Sequence, residues 1–321
     1  MTAFLLRKLG WAAATMLTVS ILVYLALEVN VDDVAAKVLG QFSTGEQREA
    51  WLLANGYRDP LVLRYGRWLV AFLSGDWGLS SHFRAPVIEI IPARLGASLL
   101  LGACALLVMV PTALLLGVIA GMRPNSVMDR VVSVFAILST SVPDFASAVL
   151  LSAIFVFWLG VLPGTSTMLT GFSLSELVLP VAVLALYSTG YLARITRTAM
   201  AEVMASHYVR TARLKGAGTF RIVFRHALRN ALIVPATVVM MQVPWLLSGV
   251  IVVEVFFAYK GFGSLLYDAA LNSDIYLIEA CAMVSVVVVV LSQILSDLAY
   301  VWLNPRISLS GAERSAGVTD A

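Results

Sequence analysis

Long apolar runs alternate with short polar connections along the chain, and the lengths of the runs predict its secondary structure. A helix needs about 20 mostly apolar residues to cross the hydrocarbon core of a bilayer. Six runs meet or approach that length: 9–29, 97–121, 131–162, 177–193, 231–253 and 280–303. The pattern predicts an all-α membrane protein with six transmembrane helices.

The third and fourth runs depart from a simple crossing. The third is longer than one crossing needs and holds Pro143 near its middle, and the fourth is short and is expected to continue into Arg194. Proline breaks a soluble helix, whereas a membrane bundle can satisfy the carbonyls that proline frees. We therefore expect a kink in the third span and not an interruption of it.

The composition agrees with that of an integral membrane protein. Apolar residues make up 60% of the chain and charged residues 13%, and the mean hydropathy is +0.90. Soluble domains use about 45–50% apolar and about 25% charged residues. The formal net charge of +3 is small, and we expect no nucleic-acid partner.

The placement of lysine and arginine predicts the orientation, because short cytoplasmic loops collect these residues. With the N-terminus inside, the cytoplasmic side receives eight basic residues between Arg194 and Arg229, and the short outer loops receive only Lys260. The remaining cytoplasmic basic residues are Arg7, Lys8, Arg123, Arg130, Arg306 and Arg314. Both termini are expected in the cytoplasm. The long outer segment 30–96 carries seven basic and seven acidic residues and has little influence on topology.

The loop 194–230 has the pattern of a structured element. Residues 208–215 predict a short helix with Arg210 and Arg213 one turn apart, and Gly216 with Gly218 can supply a positive-φ turn. A second, amphipathic helix follows and leads into the fifth span. Its predicted apolar face consists of Phe220, Val223, Phe224, Ala227 and Ala231.

The charge of this loop has two interpretations when taken alone. In the first, the basic residues fix the topology and attract anionic lipid, at about 1 kcal/mol per basic residue. In the second, they bind a partner protein.

A resemblance to a known family favours the second interpretation. The sequence YVRTARLKGAGTFRIVFRHALRNALIVPAT (208–237) is similar to the coupling loop of ABC importer permeases of the dipeptide and oligopeptide branch. NGYRDPLVLRYGRWLVAFLSGDWGLS (55–80), VVEVFFAYKGFGSLLYDAALNSDIY (252–276) and LNPRI (303–307) resemble further segments of the same permeases.

The resemblance implies a type I importer permease core in a bacterial cytoplasmic (inner) membrane. Its implied partners are a second, related permease, two cytoplasmic ABC ATPases and an extracytoplasmic substrate-binding protein. It also implies that the helix before Gly216 docks in a groove of an ATPase. The residues implied to couple the two are Tyr208, Arg210, Thr211, Ala212, Arg213, Lys215 and Gly216.

The chain itself shows no signs of catalysis. The phosphate-binding pattern G-x-x-x-x-G-K-[S/T] does not occur in it, so ATP and Mg²⁺ are expected in the partner ATPases. Three histidines far apart in the sequence form no ligand spacing, and we expect no metal site. The chain is therefore predicted to be a translocation subunit and not an enzyme.

Other transporter classes remain as alternatives. An ion-coupled secondary transporter normally shows repeated architecture and ionisable groups at the middle of the bilayer; only Asp144 lies deep in a predicted span. A channel would need a filter sequence or a ring of charge, and neither is found in the sequence. Within the resembling branch, the cargo is expected to be a di- or oligopeptide, with nickel or a glycoside as alternatives.

Asp144 and Ser141 are the candidate residues of a translocation path. A charge within a span favours an inward-facing position, away from lipid. Asp144 either attracts the ammonium group of a passing peptide or pairs with hydroxyl groups near the kink. Those hydroxyl groups belong to Ser139, Thr140 and Ser141.

The outer segment contains one further predicted helix, 60–73. Asp59 is a favourable N-cap and Pro60 a favourable first residue. Arg64 and Arg67 are expected to flank an apolar face, which lies along the membrane interface or packs on the permease; its residues are Leu61, Tyr65, Trp68, Leu69 and Phe72. The predicted organisation is a first span with the outer segment (1–96), a five-helix core (97–303) and a cytoplasmic tail (304–321).

Overall fold

A computed structural model describes residues 2–28, 31–40, 42–168 and 171–303. All regular elements in this part of the chain are helices, apart from one isolated bridge between Leu79 and Pro86. The first seven α-helices are α1 (Thr2–Glu28), α2 (Val31–Leu39), α3 (Gly45–Ala54), α4 (Leu61–Leu73), α5 (Val87–Met122), α6 (Val127–Ser141) and α7 (Asp144–Ser152). The next seven are α8 (Leu174–Met204), α9 (His207–Leu214), α10 (Thr219–Ile222), α11 (Leu228–Ala231), α12 (Ile233–Phe256), α13 (Phe262–Leu271) and α14 (Ile275–Leu303). Two π-helical segments, Ala153–Trp158 and Val223–Ala227, continue α7 and α10.

Four helical stretches among the described residues are long and apolar enough to cross a membrane: Gly10–Leu27, Val87–Met122, Leu174–Met204 and Ile275–Leu298. Two bent helix pairs raise the number to as many as six if each pair is one span. The multi-pass helical architecture is therefore confirmed. Arg306, Arg314 and the predicted tail 304–321 lie outside the described residues.

The third predicted span is not one kinked helix but two helices at a large angle. α6 ends at Ser141, and the axis of α7 and its π-helical continuation is turned by 108° from that of α6. Pro143 has φ −62° and ψ 152°, an extended backbone conformation that a helix cannot accommodate. The expectation of a mere kink was wrong, because the extended backbone at Val142 and Pro143 changes the chain direction completely.

The described residues form two compact units. The first comprises the chain up to Ser98 together with Lys260–Leu291, and the second comprises Leu99–Tyr259 and the chain from Ser292 onward. In the first unit, Val87 and Ile91 of α5 pack against Leu265 of α13. A second apolar cluster of this unit gathers Val34, Ala35, Leu52, Tyr57 and Ile275.

Helix α8 is the centre of the second unit, and glycines let its neighbours approach closely. A Cβ built on Gly117 of α5 would lie 2.4 Å from Thr196 Cβ, and one on Gly121 would lie 2.6 Å from the Arg197 carbonyl oxygen. On another side of α8, a Cβ on Gly190 would lie 1.9 Å from Ser139 Oγ. Membrane helices associate through such contacts of small residues, because lipid supplies no hydrophobic force between them.

Helix α4 corrects two expectations for the outer segment. The helix begins one residue later than predicted, with Pro60 at the N-cap and no capping side chain. The Asp59 carboxylate instead accepts a hydrogen bond from Arg67. Arg64 is not a flanking residue: it is buried, with its guanidinium 4.7 Å from the Tyr57 ring centroid.

The apolar face of α4 packs within the first unit. Tyr24 of α1 lies 5.5 Å from the Tyr65 ring and 5.4 Å from the Trp68 ring. Ser20 Oγ is 2.7 Å from Tyr65 Oη, a hydrogen-bonding distance. The helix therefore rests on α1, as the packing alternative required.

Candidate functional site

The loop between α8 and α12 folds as helix, glycine turn and helix, as the sequence predicts. α9 covers His207–Leu214 and is followed by Lys215 and by Gly216 at φ +80°. The Gly216 amide donates to the Arg213 carbonyl at 3.0 Å, and the Ala217 amide donates to the Ala212 carbonyl at 3.1 Å. These two bonds form a Schellman motif, which satisfies the last carbonyls of a helix and requires a left-handed residue.

Gly218 does not contribute to the left-handed turn. Its φ is −67°, and it occupies the N-cap position of α10. The positive-φ prediction is therefore confirmed for Gly216 alone.

Buried apolar side chains anchor the loop to the second unit. Val209 of α9 is fully buried and belongs to a cluster with Met200 and Met204 of α8. The same cluster contains Ala227 and Ala231, which precede α12. The Asn230 amide donates to Tyr208 Oη at 3.1 Å and ties α9 to α11. A displacement of α9 would therefore act directly on the helices that flank the loop.

Two predicted members of the apolar face are exposed. Val223, Ala227 and Ala231 are buried as predicted, but Phe220 and Phe224 are 75% and 59% exposed. The π-helical segment Val223–Ala227 has more residues per turn than an α-helix, so the α-helical spacing does not hold along it. Ile222 takes a buried position instead.

The outward side of the loop combines apolar and cationic groups. The Phe220 and Phe224 rings lie 4.3 Å apart, and Leu214 is 82% exposed. We give the name loop surface to eight of the exposed side chains of this region: Tyr208, Arg210, Thr211, Arg213, Leu214, Lys215, Phe220 and Phe224. Ala212, the remaining predicted residue, is half-buried against the apolar cluster. Exposed aromatic and aliphatic side chains beside arginine are typical of a protein-binding surface.

An ion pair connects α8, which precedes this loop, to α6. Arg197 donates from Nε and Nη2 to the two carboxylate oxygens of Asp129, at 2.8 and 2.7 Å. The Asp129 side chain is 4% exposed and also accepts from the Asn125 amide at 2.8 Å. Ser126 caps α6 by accepting from the Asp129 amide. The bidentate geometry fixes the start of α6 against α8.

The two candidate path residues lie on opposite sides of the break between α6 and α7. Asp144 is the first residue of α7 and is half-buried, and Ser141 is exposed. The Ser141 hydroxyl donates to the Ile137 carbonyl at 2.8 Å, and the Ser139 and Thr140 hydroxyls donate to the Ala136 carbonyl. Among the residues that the structure describes, these hydroxyls therefore donate to carbonyls of their own helix and not to Asp144, as the second of the two alternatives would have required. Their own helix already uses them.

Sequence reasoning missed the close contacts of α8. The spacing of Gly117 and Gly121, G-x-x-x-G, is a recognised signal for close helix packing in membranes. The signal for Asp129 was weaker, since only Ser126 three residues before it marks a helix start. Its pairing with Arg197, far away in the sequence, could not be read from either residue.

Comparison with known proteins places these features in a family. Residues 113–309 match the family model described as binding-protein-dependent transport system inner membrane component. A putative peptide transport system permease protein of Brucella abortus is 33% identical over 311 residues, covering 96% of this chain and 99% of the relative.

Two further relatives cover the same shares of both chains. An oligopeptide transport system permease protein of Bacillus subtilis is 31% identical over 314 residues. A dipeptide transport system permease protein of Escherichia coli is 30% identical over 335 residues.

Proposed function

Because the chain belongs to the binding-protein-dependent transport system inner membrane components, we propose that it forms half of the translocation pathway of an ATP-driven importer for di- or oligopeptides. The observation that carries this proposal is the near full-length match to permeases named for peptide transport. The matched region includes the loop 194–230 with its helix, Schellman turn and exposed surface.

The proposed topology has six spans with both termini in the cytoplasm. Four are the long apolar helices, and two are the bent pairs that begin with α6 and with α10. The concentration of arginine and lysine between Arg194 and Arg229 supports a cytoplasmic loop 194–230 in a bacterial inner membrane. The segment 30–86 then lies on the extracytoplasmic side, where a substrate-binding protein delivers cargo.

The loop surface is the proposed docking site for a cytoplasmic ATPase. In the complex, α9 lies in a groove of the ATPase, and two such permeases face two ATPase subunits. Val209 joins α9 to Met200 and Met204 of α8, so movement of the ATPase displaces a span and not only a loop. ATP and Mg²⁺ bind to the partner subunits in this arrangement.

Reconstitution tests the assignment. The purified chain alone should hydrolyse no ATP, and proteoliposomes with the second permease, the ATPases and the binding protein should accumulate peptide only when ATP is supplied. Steady, vanadate-sensitive hydrolysis by the isolated chain would contradict the assignment. Peptide uptake driven by an ion gradient without ATP would favour a secondary transporter.

Asp144 and Ser141 are proposed to line the path at the break between α6 and α7. Asp144 has no hydroxyl partner among the described residues 139–141, so its carboxylate is available to a passing ammonium group. Asp144→Asn keeps the size and removes the charge. It should slow uptake of a free dipeptide more than uptake of its N-acetylated form, and an equal effect on both would exclude this role.

A further inference from the structure

A cavity of about 440 Å³ lies within the first compact unit. Its volume falls in the range of about 300–1,000 Å³ that is usual for small-molecule sites. Aromatic side chains of α1, α4, α14 and the connecting segments form much of its wall: Tyr24, Tyr57, Trp68, Phe72, Trp77 and Tyr276. Such a wall offers flat faces on which a ligand ring can stack.

The aromatic wall is continuous and held in place. The Trp68 and Phe72 rings are 5.7 Å apart on successive turns of α4, and Phe72 stacks on Trp77 at 5.2 Å with an interplanar angle of 10°. Trp77 Nε1 donates to the Phe72 carbonyl at 3.0 Å, which fixes the indole orientation. All three side chains are half-buried. Phe72 and Trp77 also pack against the apolar cluster of Val87 and Leu265, so a ligand can contact only the exposed part of each ring.

A glycine lets the Tyr276 ring lie close to the backbone at Gly78. Gly78 has φ +77°, and a Cβ added there would lie 3.0 Å from the Tyr276 ring. This position combines a left-handed backbone with a ring in contact, so it accommodates no larger residue without a shift.

The charges that line the cavity cancel. Arg64 and Arg67 stand against Asp76 and Glu279. Arg67 already donates to Asp59 and to the Gly56 carbonyl, and the Arg64 guanidinium stacks on Tyr57. A ligand with a large net charge gains no net attraction from this lining, whereas a zwitterion meets both signs.

We propose that this cavity binds a short zwitterionic peptide with an aromatic side chain and selects such cargo. The peptide ring contacts the exposed parts of Trp68, Phe72 and Trp77, where offset or edge contacts add to the burial of apolar area. The peptide termini meet the two signs of charge along the wall. This inference rests on the proposed function, since it names a cargo class for the same importer.

The first experiment measures binding to the full chain, assembled with its permease and ATPase partners in nanodiscs without the binding protein. Titration with Ala-Phe followed by calorimetry should give a Kd that Trp68→Leu raises about three- to tenfold. Trp68→Phe, which keeps a ring, should retain most of the affinity and shows that the site still folds. Trp158→Leu is the matched control, because Trp158 is 81% exposed in the second unit.

The second experiment compares uptake of Ala-Phe and Ala-Ala by proteoliposomes that contain the same binding protein throughout. Trp68→Leu should lower the ratio of Ala-Phe to Ala-Ala uptake by about threefold or more, while Trp158→Leu leaves the ratio unchanged. An unchanged ratio and an unchanged Kd in Trp68→Leu would overturn the inference. Tighter binding of phenyl glucoside than of Ala-Phe would also overturn it.

The outcomes separate this inference from the proposed function. If the wild-type importer takes up neither these dipeptides nor a longer peptide when ATP is supplied, the proposed function fails. The titration still decides on the cavity: weaker Ala-Phe binding in Trp68→Leu supports the site, and equal binding rejects it.

Discussion

Two regions of the second unit depend on glycine for opposite reasons. At the contacts of α8, the added Cβ of Gly190 would meet Ser139 Oγ at 1.9 Å and the Ala136 carbonyl oxygen at 2.9 Å. In the loop, Gly216 has open space around it but a φ of +80°. The first region is defined by how closely helices approach, and the second by the path of the backbone. We therefore expect changes in the first to damage the fold and changes in the second to damage coupling.

The largest effect is expected for Gly190→Ala. Its methyl group cannot avoid the Ala136 backbone, because a carbonyl oxygen of a helix does not rotate away. Overpacking typically costs about 1–3 kcal/mol, and because the added Cβ would approach Ser139 Oγ to 1.9 Å, we expect the upper end of that range, about 3 kcal/mol. The thermal unfolding temperature in detergent should fall accordingly. Gly102→Ala is the matched control, since a Cβ there meets nothing within 4 Å.

A second substitution sharpens this test. Ser139→Ala removes the nearest clashing atom, so the double variant with Gly190→Ala should recover part of the lost stability. Equal stability of Gly190→Ala and Gly102→Ala would show that the α6–α8 contact is looser than the structure indicates.

The next largest effect is expected for Arg197→Gln, which lies on α8 between the two regions. The substitution removes the positive charge of Arg197 and leaves the nearly buried Asp129 carboxylate without its cationic partner. Breaking a fully buried pair costs about 3–5 kcal/mol; because the Arg197 side chain is 31% exposed, we expect about 2 kcal/mol.

A double-mutant cycle in thermal or denaturant unfolding checks this prediction. Asp129→Asn combined with Arg197→Gln should be less destabilising than the sum of the single changes. Strict additivity would mean that the pair does not stabilise the protein.

A smaller stability effect with a larger functional effect is expected for Gly216→Val. A β-branched residue at positive φ is strained, but no atom lies within 4 Å of an added Cβ, so we expect the lower end of the usual range, about 1 kcal/mol. The strain falls on the Schellman turn that sets the direction of α9. The amount of protein in the membrane should stay near wild type, while peptide uptake and stimulation of the ATPase by the binding protein fall.

Gly218→Ala is the control that distinguishes the turn at Gly216 from the rest of the loop. Gly218 has φ −67° and open space, so alanine should be tolerated there. If Gly216→Val retains full uptake, or if both substitutions abolish it, the assignment of the turn to Gly216 is wrong.

The smallest effect is expected for charge reversal on the loop surface. Arg210→Glu and Arg213→Glu change exposed side chains, and an exposed ion pair contributes only about 0.2–1 kcal/mol. Pull-down with the ATPase at low salt should show binding weakened by up to about fivefold for each change, and the difference should shrink at high salt. Arg130→Glu, an exposed position on α6, should leave ATPase binding unchanged.

Side chains near the helix ends show where local rules stop. Asp59 followed by Pro60 is a sound N-cap pattern, yet Arg67 draws the Asp59 carboxylate away and the helix starts at Leu61. Arg64 is buried because aromatic rings from other parts of the first unit cover its guanidinium. In both cases a partner outside the local capping or periodicity pattern outweighed that pattern.

The amino-acid sequence by itself determined the apolar helices, the presence of a bend at Pro143 and the turn at Gly216, because each depends on the chemistry of a few neighbouring residues. The length of an apolar run, the missing amide of proline and the φ freedom of glycine act without any partner. Only the tertiary structure decided the 108° turn between α6 and α7, the outward position of Phe220 and Phe224, and the pairing of Asp129 with Arg197. These features depend on which helices pack against each other in the folded chain. In a chain that is 60% apolar, hydrophobicity marks most residues as suited to burial or lipid, and close packing between particular helices selects among them.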